Sequence, residues 1–140
     1  MTDRLELQAE VDAPRRQVFE LLATADGLRQ WVDDAELDGR VGGRIRLRML
    51  DAEGGGEILA LDPPQHISYT WDWAGQPLGA TTVVAFDAID HGARTHVTLR
   101  HVGLPDRRQL ELHRALWEHW LRRFAAAAQA LLPAGDSTPP

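Results

Sequence analysis

Gly42-Gly43-Arg44-Ile45-Arg46-Leu47-Arg48-Met49, then Asp62-Pro63-Pro64, then Ile67-Ser68-Tyr69-Thr70-Trp71-Asp72-Trp73 is the part of the chain that decides the fold. Strand side chains alternate between the two faces of a sheet, so Ile45, Leu47 and Met49 share one side and Arg44, Arg46 and Arg48 the other. The same alternation puts Ile67, Tyr69, Trp71 and Trp73 together and leaves His66, Ser68, Thr70 and Asp72 opposite them. One side of this sheet is therefore apolar and rich in large rings. That surface either fills a core or lines a cavity.

Before this stretch, Leu5, Leu7, Ala9 and Val11 alternate with polar residues, which predicts a strand over 3–11. Asp12 is placed to cap a short helix over 13–23, with Pro14 in its first turn and Val18, Phe19, Leu21 and Leu22 at helical spacing. Thr24 and Asp26 offer a cap for a further short helix carrying Leu28 and Trp31. Gly39, Gly42 and Gly43 then break the chain. The glycine run 54–56 predicts a hairpin turn, with Glu57–Leu61 as the returning strand. Strands at about 80–90 and 94–102 meet at Asp90-His91-Gly92-Ala93, and His101 shares the inward face with Thr95, Val97 and Leu99. After Pro105 a helix of about 27 residues is expected, because no proline or glycine recurs until Pro133. Its apolar stripe is Leu110, His113, Trp117, Trp120, Leu121, Phe124, Ala128 and Leu131. Residues 1–132 read as one domain and 133–140 as a disordered tail.

Composition removes several function classes. The chain has 140 residues and a net charge of −6, and its 15 basic residues are dispersed arginines, which argues against nucleic acid as a partner. Without lysine there is no Schiff-base chemistry and no Walker-type phosphate lysine; without cysteine there are no disulfides, thiolate metal sites or thiol nucleophiles. No stretch has the ~20 apolar residues of a membrane span, and the N-terminus lacks the order of a signal peptide. A cytoplasmic protein is expected, with no membrane insertion, as a monomer or homodimer.

Asp12-Ala13-Pro14 before Val18-Phe19, Leu28-x-x-Trp31, Val41-Gly42-Gly43-Arg44, Asp62-Pro63-Pro64, Tyr69-Thr70-Trp71, Gly92-x-x-Thr95 and His101-Val102-Gly103-Leu104 follow one another over about residues 3–131. In that order they resemble the START-like superfamily called SRPBCC, and within it the group named after the C-terminal domain of the heat-shock-protein ATPase activator. The resemblance implies an α+β helix-grip fold: a curved antiparallel sheet wrapped around a long C-terminal helix, with two short helices after the first strand. It also implies a cavity between sheet and helix that holds a hydrophobic or aromatic small molecule. Two positions depart from the group's pattern: Leu116 stands before Trp117 where a glycine is usual, and Val32 follows Trp31 where a second aromatic is usual.

The expected ligand-binding residues are Trp31, Tyr69, Trp71, Trp73, Phe86, Leu99, His101, His113, Trp117 and Trp120. An ordinary core has the same composition, although tryptophan needs a partner for its N–H when buried. His101 and His113 are the inward imidazoles, and a core histidine bonded to its neighbours is the simpler role for each. As a carrier or sequestering protein, the chain would stack an aromatic ligand on Trp71, Trp73 and Trp117. As a polyketide cyclase or dehydratase, it would move a proton with His101 or Tyr69 as catalytic residues. As a chaperone-ATPase activator, it would be an interaction module. No cofactor is implied, and no metal: His113 and Glu118 have no third ligand at convincing spacing. Arg46 would meet a ligand carboxylate only if the sheet turned its outer face toward a cavity mouth. Ser68 with His66 and Asp72 lacks an oxyanion site and is set aside.

Overall fold

Alternating apolar residues form the strands β1 (Leu5–Val11), β2 (Asp34–Leu37), β3 (Arg44–Met49), β4 (Ala52–Asp62), β5 (His66–Trp73), β6 (Thr82–His91) and β7 (Arg94–Val102). The helices are α1 (Arg15–Ala23), α2 (Ala25–Leu28) and α3 (Arg107–Asp136). The structure, a computed structural model, describes residues 4–136, with side chains through residue 131. All strands join one antiparallel sheet in the order β1-β7-β6-β5-β4-β3-β2. The chain runs down the sheet as a meander from β2 to β7, and β7 then closes against β1.

The faces follow the expected alternation. Ile45, Leu47, Met49, Ile67, Tyr69, Trp71, Val97, Leu99 and His101 are buried, while Arg44, Arg46 and Arg48 are exposed. Arg46 lies between Glu36 at 2.7 Å and Glu53 at 3.7 Å on the outer face, so it does not turn toward the interior. On that face His66 pairs with Asp87 at 2.8 Å.

The turn between β3 and β4 corrects one expectation. Gly54, Gly55 and Gly56 do not form the hairpin; they lie inside β4, and the turn is made at Leu50 and Asp51, with Leu50 at φ 61°. Glycine is required in the strand for space. A Cβ on Gly54 would lie 2.3 Å from the Trp71 ring, and one on Gly55, which also has φ +147°, would lie 2.1 Å from the Ile45 carbonyl oxygen. The strand β2 was not anticipated: its Asp-Ala-Glu-Leu is short and half charged, and it forms by pairing with β3.

Helix ends also differ from expectation. Asp12 does not cap α1; its carboxylate holds Arg94 at 2.6 Å and Pro14 stands at the N-cap without a side-chain bond. Thr24 does cap α2, its Oγ1 accepting from the Gly27 N–H at 2.9 Å. The helix α3 begins one residue after Asp106, whose carboxylate accepts from the Gln109 N–H at 2.8 Å. Its backbone continues through Pro133 to Asp136, and the rest of the expected tail, 137–140, lies outside the described residues. It crosses the inner face of the sheet against β1 and α1, burying Leu110, His113, Trp117, Trp120, Leu121, Phe124 and Ala128. No helix among the described residues is long and apolar enough to cross a membrane.

Candidate functional site

Two hydrogen-bond chains tie α3 to the aromatic face of β5. The Thr82 hydroxyl has one proton, which it gives to the Trp71 carbonyl at 2.6 Å, so its oxygen accepts from His101 Nε2–H at 2.9 Å. The other ring nitrogen, His101 Nδ1, accepts from Trp117 Nε1–H at 3.1 Å. His101 is therefore the neutral Nε2–H tautomer with both nitrogens occupied. Nearer the surface, Trp73 Nε1–H donates to His113 Nε2 at 2.9 Å, and His113 Nδ1–H donates to the Gln109 carbonyl at 2.8 Å. The two imidazoles meet edge to face with centroids 5.1 Å apart.

This arrangement favours uncharged rings. Burial, with a smaller contribution from His113, pushes the His101 pKa down to about 3. Burial also lowers that of His113, partly offset by its bond to Gln109. A proton on His101 Nδ1 would displace the Trp117 donor, so His101 has no free lone pair for taking a proton from a substrate. Tyr69 is different. It is wholly buried, its hydroxyl has no partner, and burial raises its pKa above the usual phenol range.

A pH dependence of stability follows. In the unfolded chain His101 binds a proton near pH 6.5, while in the folded chain it does so only at about 3. Above 6.5 both states hold a neutral ring. As pH falls below 6.5 the unfolded state gains the proton, and stability drops by up to about 1.4 kcal/mol per pH unit until the folded ring also titrates. Glu10, held low by its bonds to His96 and His91, adds a loss only in the carboxylate range. Urea midpoints should decline from pH 7.5 to 5, and more gently in His101→Gln, whose amide cannot titrate. A flat wild-type profile would refute the assignment.

The expected ligand-binding residues divide into two groups. Trp31, Tyr69, Trp71, Phe86, Leu99, His101, Trp117 and Trp120 are all buried, and ring contacts run in a chain from Trp31 to Phe86, Phe86 to Trp117 and Trp117 to Trp71. Trp31 Nε1–H donates to the Leu21 carbonyl at 2.7 Å, and Trp120 carries the Arg123 guanidinium over its ring at 5.3 Å. Trp73 and His113 line a surface depression. It is a groove of about 940 Å³ between the loop after β5 and the first turns of α3, bounded by Trp73, Leu78, Leu112, His113 and Leu116. The groove therefore lies at the rim, and the cavity expected between sheet and helix is not found there: those rings are buried against one another. The loop was missed as a wall; Asp72 fixes it by accepting from the Trp73 and Leu78 N–H groups at 2.9 and 2.8 Å. Leu116, which replaces the expected glycine, also lines the groove. A second depression of about 650 Å³ lies among Arg44, Arg46, Glu36, Glu53 and Asp72.

A sheet that grips a long C-terminal helix in this way defines the helix-grip class. Solved structures share it: a protein from Mesorhizobium loti (TM-score 0.79, 20% identity, covering 89% of this chain and 95% of that one) and the Aha1 dimer from Colwellia psychrerythraea (0.74, 20%, 90% and 96%). CalU16 from Micromonospora echinospora also matches (0.73, 22%, 92% and 78%). No functionally curated protein matches the chain significantly. The model of the family described as Activator of Hsp90 ATPase homolog 1-like protein matches residues 12–129, and the chain belongs to that family.

Proposed function

We propose that the chain is a carrier or sequestering protein for a hydrophobic, aromatic small molecule, held in the groove beside Trp73 where the loop after β5 meets α3. The observation that carries this reading is the groove itself. Its volume falls in the range of small-molecule sites, and Trp73, Leu78, Leu112 and Leu116 give it apolar surface beside the polar Asp51, Glu53, Gln76, Arg108 and Gln109. Leu112 is 51% exposed, apolar surface that a ligand would cover. Trp73 is half-buried and stands at 5.2 Å from Trp71, so a ligand stacked on it would be continuous with the interior rings. The saturated His101 nitrogens count against the cyclase reading, which would have to rely on Tyr69. A homodimer, the state in which the Colwellia relative was solved, is compatible with binding at this rim.

Titration with planar aromatic molecules should quench tryptophan fluorescence saturably. Trp73→Ala should weaken binding by about tenfold or more, since stacking on an aromatic ring contributes on the order of 1 kcal/mol beyond its buried area. Because Trp73 is half-exposed, the variant should remain folded. Equal affinity in wild type and Trp73→Ala, or no saturable response to any planar aromatic, would overturn the proposal.

A further inference from the structure

The outer face of the sheet carries a slot where a side chain is missing. Glu36, Arg46, Gly55 and Asp72 are register partners on the successive strands β2, β3, β4 and β5, and so form one row across the sheet. Gly55 is fixed as glycine by its φ of +147° and by the Ile45 carbonyl oxygen, 2.1 Å from where a Cβ would stand. Neighbouring strands lie about 4.8 Å apart, so the bare position leaves a gap of about 10 Å between the backbones of Arg46 and Asp72. Gly55, Arg46 and Asp72 all line the depression of about 650 Å³. Glu53, Trp73 and Ala74 line both this depression and the groove beside α3, so the two meet at the end of β5.

Most of the charges in the slot are already matched. Arg46 pairs with Glu36 at 2.7 Å and lies 3.7 Å from Glu53, and Asp38 holds Arg40 at 3.0 Å. One lining guanidinium, Arg44, and one lining carboxylate, Asp72, take part in no ion pair among the described residues. A ligand charge of either sign therefore meets repulsion as well as attraction. A hydroxyl gains from both, because it donates to a carboxylate oxygen and accepts from a guanidinium N–H. Asp72 Oδ1 accepts from the Trp73 and Leu78 N–H groups, which leaves Oδ2 without a donor among the described residues.

We infer that the ligand is an aromatic glycoside, its planar body in the groove on Trp73 and its sugar in the glycine-floored slot between Arg46 and Asp72. This rests on the small-molecule reading above and specifies the chemistry of the ligand. Adjacent sugar hydroxyls offer donors and acceptors side by side, which suits a row that presents a guanidinium at one wall and a carboxylate at the other. An aromatic body alone leaves the slot to water, and an anionic substituent faces Glu36, Glu53 and Asp72.

Naphthol, naphthyl β-glucoside and naphthyl β-glucuronide share one aromatic body and differ in what they bring to the slot. In calorimetric titrations the glucoside should bind roughly threefold to tenfold more tightly than naphthol, the worth of about one hydrogen bond gained over water. The glucuronide, which adds a carboxylate to the same sugar, should bind no more tightly than the glucoside. Arg46→Ala should remove most of the preference for the glucoside over naphthol; the ion pairs it deletes are exposed, so the variant stays folded. Trp73→Ala should weaken naphthol and glucoside alike, because the body they share rests on that ring. Equal binding of naphthol and glucoside, the same preference in Arg46→Ala, or tightest binding by the glucuronide would overturn the inference while leaving the small-molecule reading intact. Binding of none of the three would remove both.

Discussion

Trp117→Ala should lower the unfolding free energy by about 4–5 kcal/mol, the upper part of the range for truncating a buried tryptophan. Trp117 is 0% exposed and packs against Trp71 at 5.2 Å and Phe86 at 6.2 Å, so its removal leaves a void between sheet and helix at the centre of the grip. It also strands His101 Nδ1, which accepts only from the Trp117 indole. Against a total of about 5–15 kcal/mol for a domain, such a loss leaves a chain near the edge of folding. The melting temperature should fall by roughly 10–20 °C. Trp117→Phe separates the two contributions: it keeps much of the volume and loses the donor, and should cost about half as much. A change below about 1 kcal/mol in Trp117→Ala would mean that the helix does not press on the sheet where the structure places it.

Gly27→Ala should destabilise by about 3 kcal/mol or more although it adds one methyl group. A Cβ at Gly27 would lie 1.8 Å from the Glu20 carbonyl oxygen and 2.7 Å from the Leu21 Cα. Both obstacles are backbone, so no side chain can swing aside and α2 would have to move off α1. That displacement spreads. Trp31 lies three residues past the end of α2 and is anchored to the Leu21 carbonyl, while its ring meets Phe124 of α3 with centroids 5.5 Å apart. Separating the two short helices therefore withdraws an indole from the far end of the grip. Urea unfolding of Gly27→Ala beside Gly39→Ala, where the added carbon meets nothing closer than 3.8 Å, provides the comparison; equal midpoints would contradict the close approach.

The alternation of apolar residues carried most of the architecture. Leu5 to Val11, Ile67 to Trp73 and Thr95 to His101 each point the way their period requires, and the stripe from Leu110 to Ala128 is the buried side of α3. These signals are legible because each is written within one element. What was not legible depends on pairs distant in sequence. Glycine in a row ordinarily signals a turn, yet Gly54 is glycine because Trp71 leans over it, and Trp71 belongs to the next strand. The four residues of β2 have no pattern of their own and are a strand only beside β3.

The site was legible as a set of rings but not as an arrangement. His101 and His113 were placed inward from their strand and helix periods, and both are buried. Their partners, Trp117 and Trp73, lie 16 and 40 residues away along the chain, and no local spacing announces those bonds. Nor does local spacing reveal which indoles remain unbonded. Trp31, Trp73 and Trp117 all donate, and only the placement of acceptors in three dimensions leaves Trp71 and Tyr69 without one. The groove depends likewise on the loop after β5, whose position is set by the Asp72 carboxylate and not by any hydrophobic pattern.

The sheet ends on one side at β2, four residues long, with Asp34 and Glu36 along it. An unpaired strand is a template on which another molecule can grow, and brevity and charge are the usual defences. A second copy adding its own β2 there would bring Asp34 and Glu36 against their duplicates on a protein already carrying −6. Concentrated solutions of the native chain should therefore resist fibrillar stacking through this border, and neutralising that short acidic hem would be the quickest way to make them viscous.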